Sequence, residues 1–401
     1  MPEAVIVAAA RSPIGRAFKG SLVEMRPDDL AAQIVQALMA KVPQLDPGEV
    51  EDLLMGCGQP AGEAGFNVAR VVAVLAGLDD VPGVTVNRYC SSSLQTIRMA
   101  AHAIKAGEGD VFVAAGVEAV SRYMHGAADT GPHNPLFADA EARTVARTPA
   151  VTEAWTPPAG LPDVYIAMGQ TAENVAEFEK VSRQEMDKFA LLSQTRAVAS
   201  QESGFFDREI IPVTLPDGRV VSKDDGPRPN TTLEGLSQLK PAFREGGTVT
   251  AGNACPLNDG AAAVVVMSDT KARELGITPL ARIIASGVTG LNPEIMGLGP
   301  VEACRQTMKR AGMTIDDIDL VEINEAFAAQ IIPSARHLGI DWDKLNVRGG
   351  AIALGHPFGM TGARIMTTLL NALEDTGKTI GMESMCVGGG QGMAMIVERL
   401  S

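Results

Sequence analysis

Paired cysteines are missing from this sequence. The five it has stand singly at 57, 90, 255, 304 and 386, an odd number without a C-x-x-C pair, which argues against a disulfide framework or a structural zinc site and fits a reducing compartment. The histidines show no metal-ligand spacing either, and no metal site is expected. Basic residues are in deficit, 34 against 48 acidic ones for a net charge of -14, so a phosphate backbone would meet a repelling field and a nucleic-acid partner is not expected. No apolar run approaches the roughly 18 residues of a membrane helix, and no membrane partner is expected. The first strand-like run, Ala4 to Ala10, starts almost at Met1 and leaves no room for a leader segment, so the expected location is cytoplasmic.

What is present points to an α/β enzyme. With 401 residues, 46% hydrophobic and 20% charged, and 42 glycines, the chain is long enough for two or three domains with sizeable cores. It also echoes itself. AVIVAAARS (4 to 12) and ARIIASGV (281 to 288) read as buried strands, and EVEDLLMG (49 to 56) and DIDLVEIN (317 to 324) follow in the same order. Then come a strand, a sharp turn and an amphipathic helix in each half: TVNRYCSSSLQTIRMAAHAI (85 to 104), with Leu94, Ile97, Ala101 and Ile104 at helical spacing, and NVRGGAIALGHPFGMTGARIMTTLLNAL (346 to 373). The second half closes with CVGGGQGMAMIVERL (386 to 400), whose counterpart arrives only at GNACPLNDGAAAVVVMS (252 to 268). The spacing therefore predicts two similar βαβ-rich halves with mixed, mainly parallel sheets in a layered arrangement: residues 1–120 with 250–270, and residues 271–401. Between them, 121–249 reads as an inserted loop domain, a lid or partner-contact region. It has no clear periodicity from 126 to 162 and then helical patterns at 168–180 and 182–203.

Sites in such sheets lie beyond the carboxyl ends of the strands, where Cys90, Asn324, His356 and Cys386 all fall. Cys90 sits between a strand and a helix, with the hydroxyls of Ser91, Ser92 and Ser93 available as caps. A helix N-terminus there would lower the thiol pKa and favour the nucleophilic thiolate; the plainer alternative is a small buried packing residue. His356, flanked by glycines in A-L-G-H-P-F-G-M-T-G, is either a loop histidine satisfied by hydrogen bonds or part of a turn whose glycines let the backbone approach a ligand closely. Cys386 precedes three glycines, which either make a tight turn or aim amides at a developing oxyanion. Asn324 reads as the N-cap of a helix over 325–338.

Five blocks in order change the weight of these readings: V-N-R-Y-C-S-S-S-L-Q, A-G-N-A-C-P-L-N-D-G-A-A, V-E-I-N-E-A-F-A, N-V-R-G-G-A-I-A-L-G-H-P-F-G-M-T-G-A-R and C-V-G-G-G-Q-G-M-A. The chain resembles the thiolase family in these blocks, and the similarity runs over nearly its whole length, including M-G-Q-T-A-E-N-V-A within 121–249. The resemblance implies a thiolase-like fold and reversible, CoA-dependent thiolysis of 3-ketoacyl-CoA to acetyl-CoA and a shortened acyl-CoA. It makes Cys90 the acylated nucleophile, His356 the group that takes its proton, and Cys386 the acid/base thiol. His356 with a water held by Asn324 would form one oxyanion site, and the amides of Cys90 and Gly388 the other. Acyl-CoA and CoA are then substrates, no cofactor is permanently bound, and a homodimer or a homotetramer built from two dimers is expected. Acetoacetyl-CoA-forming condensation, a non-catalytic acyl-CoA-binding role and a thioester hydrolase are the alternatives.

Some positions depart from the family pattern. Ser93 stands where many relatives have glycine, and Ala167, before Met168, where short-chain biosynthetic relatives have histidine; both lean towards the degradative branch. Cys255-Pro256 replaces a Ser-Gly whose hydroxyl contacts pantetheine, and Cys255 can donate only weakly there. Met168 and Arg228 are the other expected CoA contacts, the guanidinium suiting phosphate and adenine, with a solvated loop charge as the alternative for Arg228. G-C-G-Q-P-A (56 to 61), with Asp79 further on, mimics a dinucleotide fingerprint, but Pro60 weakens it. Cys57 and Cys304 read as packing residues and His102 as a helix-face residue. His125 and His133 read as loop residues, with a place along an acyl channel open to both.

Overall fold

Apolar runs without alternation, such as AVIVAAAR and AAAVVVMS, belong to strands covered on both faces. In the computed structural model, which describes residues 2–148 and 154–401, they do lie in the interior. The strands are β1 (Ala4–Arg11), β2 (Gly15–Arg16), β3 (Asp52–Gly56), β4 (Gly83–Val86), β5 (Val111–Ala119), β6 (Val213–Thr214), β7 (Val220–Val221), β8 (Asn258–Ser268), β9 (Ala281–Gly290), β10 (Leu320–Ile323), β11 (Ile380–Val387) and β12 (Gln391–Arg399). All but β6 and β7 join one sheet, in the order β10-β11-β12-β9-β1-β8-β5-β3-β4, with β2 pairing beside β8.

That order contains the internal repeat. Outward from the middle, β1-β8-β5-β3-β4 on one side is matched by β9-β12-β11-β10 on the other, and the place of β4 is taken by a parallel bridge between Val321 and Leu345. In each half the strands run mainly in one direction. Only β8 and β12, the final strand of each repeat, run against it, since each pairs antiparallel with both neighbours. The halves meet through β1 and β9, antiparallel, with Val5 opposite Arg282 and Ile6 opposite Ala281.

Two equivalent helices set the site. Ser92–Ala106 follows β4, and Thr361–Thr376 follows the Leu345 bridge. Leu94, Ile97 and Ile104 are fully buried, each contributing roughly 1.5–3 kcal/mol. The helices touch near their N-termini: a Cβ on Gly362 would lie 2.2 Å from the Leu94 amide nitrogen, and Ser93 Oγ accepts the Ala363 N–H at 2.9 Å. Close approach at these ends brings the turn holding Cys90 and the turn holding His356 side by side.

The chain between β5 and β8 carries the helices Met168–Phe178 and Arg183–Glu202, at the predicted positions. The second opens with a capping box, Ser182 and Glu185. A fully buried triad ties this segment to the sheet: Arg11 Nε lies 2.7 Å from Glu209 and Arg11 Nη1 2.8 Å from Asp224, so losing one partner would strand a buried charge. The stretch read as aperiodic, 126–162, holds a helix, Ala138–Ala146; residues 149–153 lie outside the described residues. No described helix is long and apolar enough to cross a membrane.

Candidate active site

Cys90 occupies a turn of 3-10 helix, Tyr89–Ser91, directly after β4. Tyr89 is held at φ +42°, an uncommon conformation for a bulky residue, and neighbouring side chains pin the turn. Ser92 Oγ accepts the Arg88 N–H at 2.9 Å and donates to Tyr89 O at 2.7 Å, while Arg88 Nη1 reaches Gln391 Oε1 at 2.6 Å. The three serines do not cap the helix as expected, because Ser92 and Ser93 make these turn and inter-helix bonds instead and Ser91 Oγ bonds back to Arg88 O.

The thiol lines a cavity of about 230 Å³ with Tyr89, His133, Met168, Phe358 and Gly388 among the other walls. Met168 and His133 both line this cavity. His133 stacks on Tyr165 with ring centroids 3.9 Å apart. Arg228 does not line this cavity; it is exposed, and its side chain makes no hydrogen bond or ion pair among the described residues.

His356 is 1% exposed and lies two residues before Phe358. Its amide donates to Asn258 Oδ1 at 3.0 Å, its Nδ1 lies 2.6 Å from Thr361 Oγ1, and its Nε2 lies 3.2 Å from Asn324 Nδ2. Thr361 in turn donates to Pro357 O at 2.8 Å. Asn324 Oδ1 is buried without a hydrogen-bond partner among the described residues. Asn324 is not a helix cap: the helix is Ala328–Leu338, and 326–328 lies beside 253–255, with Cys255 N–H bonded to Ala326 O at 3.0 Å and Ala328 N–H to Asn253 O at 2.9 Å. That pairing brings Cys255 into the site, and Asn324 follows the carboxyl end of β10.

Cys386 is the penultimate residue of β11 and 1% exposed. Its neighbours Gly389 and Gly390 have φ of +75° and +81°, which lets the chain reverse into β12 and turn the Gly388 amide towards Cys90. Burial raises the pKa of all three thiols. Cys90 is pushed up to about 12, although the amides of Gly388 and Cys90 itself pull it down. Cys386 and Cys255 are also raised, by burial first and then by the thiols around them, Cys90 for both and Cys255 in addition for Cys386. Burial lowers His356 to about 3, helped by Arg364. The expected low-pKa thiolate is therefore not the resting state: burial outweighs the amide dipoles, and sulfur and imidazole are both neutral. Cys57 and Cys304 are buried packing residues.

Sequence reasoning passed over two residues that touch these groups, Thr361 and Gln330, whose Oε1 accepts from Cys386 Sγ at 3.3 Å, and one that holds the loop beside them, Glu118. The last is buried at the end of β5 and accepts the amides of Gly58 and Gly359, both at 2.8 Å, locking the loop after His356 to the sheet. None carries a motif of its own, and only the fold shows what each contacts.

Comparison with known proteins agrees with this architecture. Residues 4–270 match the family model of the thiolase N-terminal domain and residues 277–399 that of the C-terminal domain. The chain is 44% identical over 412 residues to a beta-ketoadipyl-CoA thiolase of Acinetobacter baylyi and 45% identical over 410 residues to a 3-ketoacyl-CoA thiolase of Cronobacter sakazakii, with 100% of each chain covered in both cases. Among solved structures, the Bacillus anthracis acetyl-CoA acetyltransferase superposes with a TM-score of 0.86 at 40% identity, covering 100% of this chain and 99% of that one. The dimeric peroxisomal thiolase of Saccharomyces cerevisiae gives 0.89 at 38% identity, covering 99% and 97%. With both family domains matched in sequence and the whole chain matched in structure, this protein belongs to the thiolase family.

Proposed function

We propose that this protein catalyses the CoA-dependent thiolysis of 3-ketoacyl-CoA through an acyl-Cys90 intermediate. The observation that carries the reading is the meeting of Cys90 and Gly388 on one small cavity, with Cys386 two residues before one wall and His356 two residues before another. The likeness to relatives named 3-ketoacyl-CoA and beta-ketoadipyl-CoA thiolase supports the same reaction.

The resting site sets the order of events. With thiol and imidazole both neutral, no thiolate stands ready for adventitious chemistry, and proton transfer accompanies attack. Cys90 Sγ bonds to the 3-keto carbon as its proton passes to His356 Nε2. The oxyanion that forms is met by preorganised donors, each worth about 3 kcal/mol of barrier. The Cys90 and Gly388 amides serve the 3-keto oxygen, which becomes the thioester oxygen of the acyl-enzyme, and His356 with a water bridged to Asn324, for which its unpaired Oδ1 offers an anchor, serves the enolate oxygen of the departing acetyl-CoA. Cleavage of the C2–C3 bond releases the enolate of acetyl-CoA, and the Cys386 thiol protonates its carbon. A CoA thiol then attacks acyl-Cys90 and gives its proton to the Cys386 thiolate, while the Cys90 sulfur leaves the acyl group and takes back the proton held on His356.

The segment 121–249 serves in this reading as an inserted lid with Met168 at its mouth, while Cys255 meets the pantetheine arm of CoA and Arg228, outside the cavity, its nucleotide. The two halves are 1–120 with 250–270, and 271–401. The dimeric state named for the yeast neighbour favours a homodimer, and the location that fits the bacterial relatives is the cytoplasm.

Incubation with acetoacetyl-CoA, longer 3-ketoacyl-CoAs and 3-oxoadipyl-CoA, with and without free CoA, tests the proposal. CoA-dependent loss of substrate with acyl mass on Cys90 is expected. Loss indifferent to CoA would indicate a hydrolase, and no loss of any substrate would leave an acyl-CoA-binding role.

A further inference from the structure

Behind the Cys386 thiol, the helix Ala328–Leu338 presents a glutamine. Cys386 Sγ donates to Gln330 Oε1 at 3.3 Å, and Gln330 is only 2% exposed. The other end of the amide rests on a thioether, with Gln330 Nε2 3.5 Å from Met296 Sδ, a weak acceptor. Room for this arrangement comes from Gly297, where a Cβ would lie 2.2 Å from Gln330 Cγ and 2.6 Å from Nε2. Had packing alone been needed, an apolar side chain of equal length would fill the space without the cost of burying an amide.

We infer that Gln330 is a positioning residue for Cys386, its amide holding the S–H through Oε1 and turning to offer Nε2–H to the sulfur once the proton has left. The inference rests on the reading of Cys386 as the acid/base thiol. In the exchange half-reaction the thiolate takes a proton from the acetyl-CoA methyl group: a C–H bond breaks, an S–H bond forms, and the electron pair passes into the enolate. Thiolysis runs the same transfer backwards. The sulfur is thus a hydrogen-bond donor in one state and an acceptor in the other. A fixed carbonyl would repel the thiolate, and a fixed N–H would leave the thiol unheld. One amide carries both groups, and rotating it sacrifices only the thioether contact. A donor is needed because burial, with Cys90 and Cys255 nearby, disfavours charge on this sulfur, and bonds to ionised acceptors are the strong ones.

Deuterium uptake into the acetyl-CoA methyl group in D2O isolates the Cys386 step, and mass measurement of acyl-Cys90 reports the other. For Gln330→Met we expect the exchange kcat to fall about ten- to a hundredfold, the worth of a hydrogen bond to a charged group, with the KM for acetyl-CoA and the rate of Cys90 acylation within about threefold of wild type. Gln330→Glu keeps an acceptor and loses the donor, so its exchange profile moves to higher pH. Cys386→Ala abolishes exchange in the same assay. If it does not, the role given to Cys386 falls and this inference with it. If Cys386→Ala abolishes exchange while the glutamine variants keep wild-type rates and profile, or lose acylation and exchange equally, only the role of Gln330 is overturned.

Discussion

His356 Nδ1 and Thr361 Oγ1 lie 2.6 Å apart, and the same hydroxyl lies 2.8 Å from the carbonyl oxygen of Pro357. A hydroxyl has one proton to give, and Pro357 O can only accept it. Oγ1 therefore accepts from Nδ1–H, which fixes the tautomer and leaves the basic lone pair on Nε2, on the Asn324 side. Thr361→Val removes the acceptor at nearly constant volume. The rate of Cys90 acylation should fall about ten- to a hundredfold, while Thr361→Ser stays near wild type. Equal losses in both variants would trace the effect to packing and remove the tautomer argument.

Neutral partners in the resting site have a signature in alkylation. With Cys90 pushed up to about 12 and His356 held at about 3, the thiolate fraction of the substrate-free enzyme grows tenfold per pH unit across the neutral range. The rate of Cys90 labelling by iodoacetamide, followed by peptide mass, should climb through pH ~9 without levelling. A plateau with a midpoint near pH ~6 to 7 would reveal a standing thiolate–imidazolium pair and refute the neutral resting state.

Close backbone contact in the middle of the sheet makes a third point. A Cβ on Gly116 of β5 would lie 1.9 Å from Gly359 O and 2.6 Å from Ser93 Cβ, so even one methyl group must push the loop after His356 away from the helix after Cys90. Backbone atoms cannot rotate aside. Gly116→Ala should lower stability by about 2 to 4 kcal/mol in urea titration and reduce Cys90 acylation as well. Wild-type values of both would show that the two turns are not coupled through β5.

Much of this was legible in the residues. Leu94, Ile97, Ala101 and Ile104 at helical spacing marked the helix after Cys90, and the likeness of AAAVVVMS to MAMIVERL identified β8 and β12 as counterparts although more than 120 residues of other structure intervene. What escaped depends on tertiary contact. The helix predicted to begin at 325 begins at Ala328 because 326–328 pairs with 253–255, a partner about seventy residues away. The helix Ala138–Ala146 buries only Ala140, so it has no apolar stripe to betray it. The direction of the Cys90 shift could not be foreseen, since a helix N-terminus shows in sequence whereas the depth of burial around it does not.

Beneath the site, β10 and β11 place Glu322 directly opposite Glu383 in parallel register, beside the buried Arg364. Neither Glu383 oxygen has a hydrogen-bond partner among the described residues, and neither does Arg364 Nη1. Glu322 is pushed up to about 8, by burial above all, with Arg364 opposing and Glu325 adding to the rise; burial raises Glu383 in the same direction. A carboxyl whose pKa is raised in the folded state binds its proton more tightly there than in the unfolded chain. Its contribution is complete below the ordinary carboxylate pKa and is lost as pH rises towards about 8. Unfolding free energy should therefore decline between pH ~5 and ~8, by no more than about 4 kcal/mol from this group. Glu322→Gln, always neutral and of the same shape, should flatten that decline in urea titrations across the range. A slope identical to that of wild type would mean that Glu322 is ionised in the folded protein at neutral pH, held by Arg364, and that the attraction between them outweighs burial.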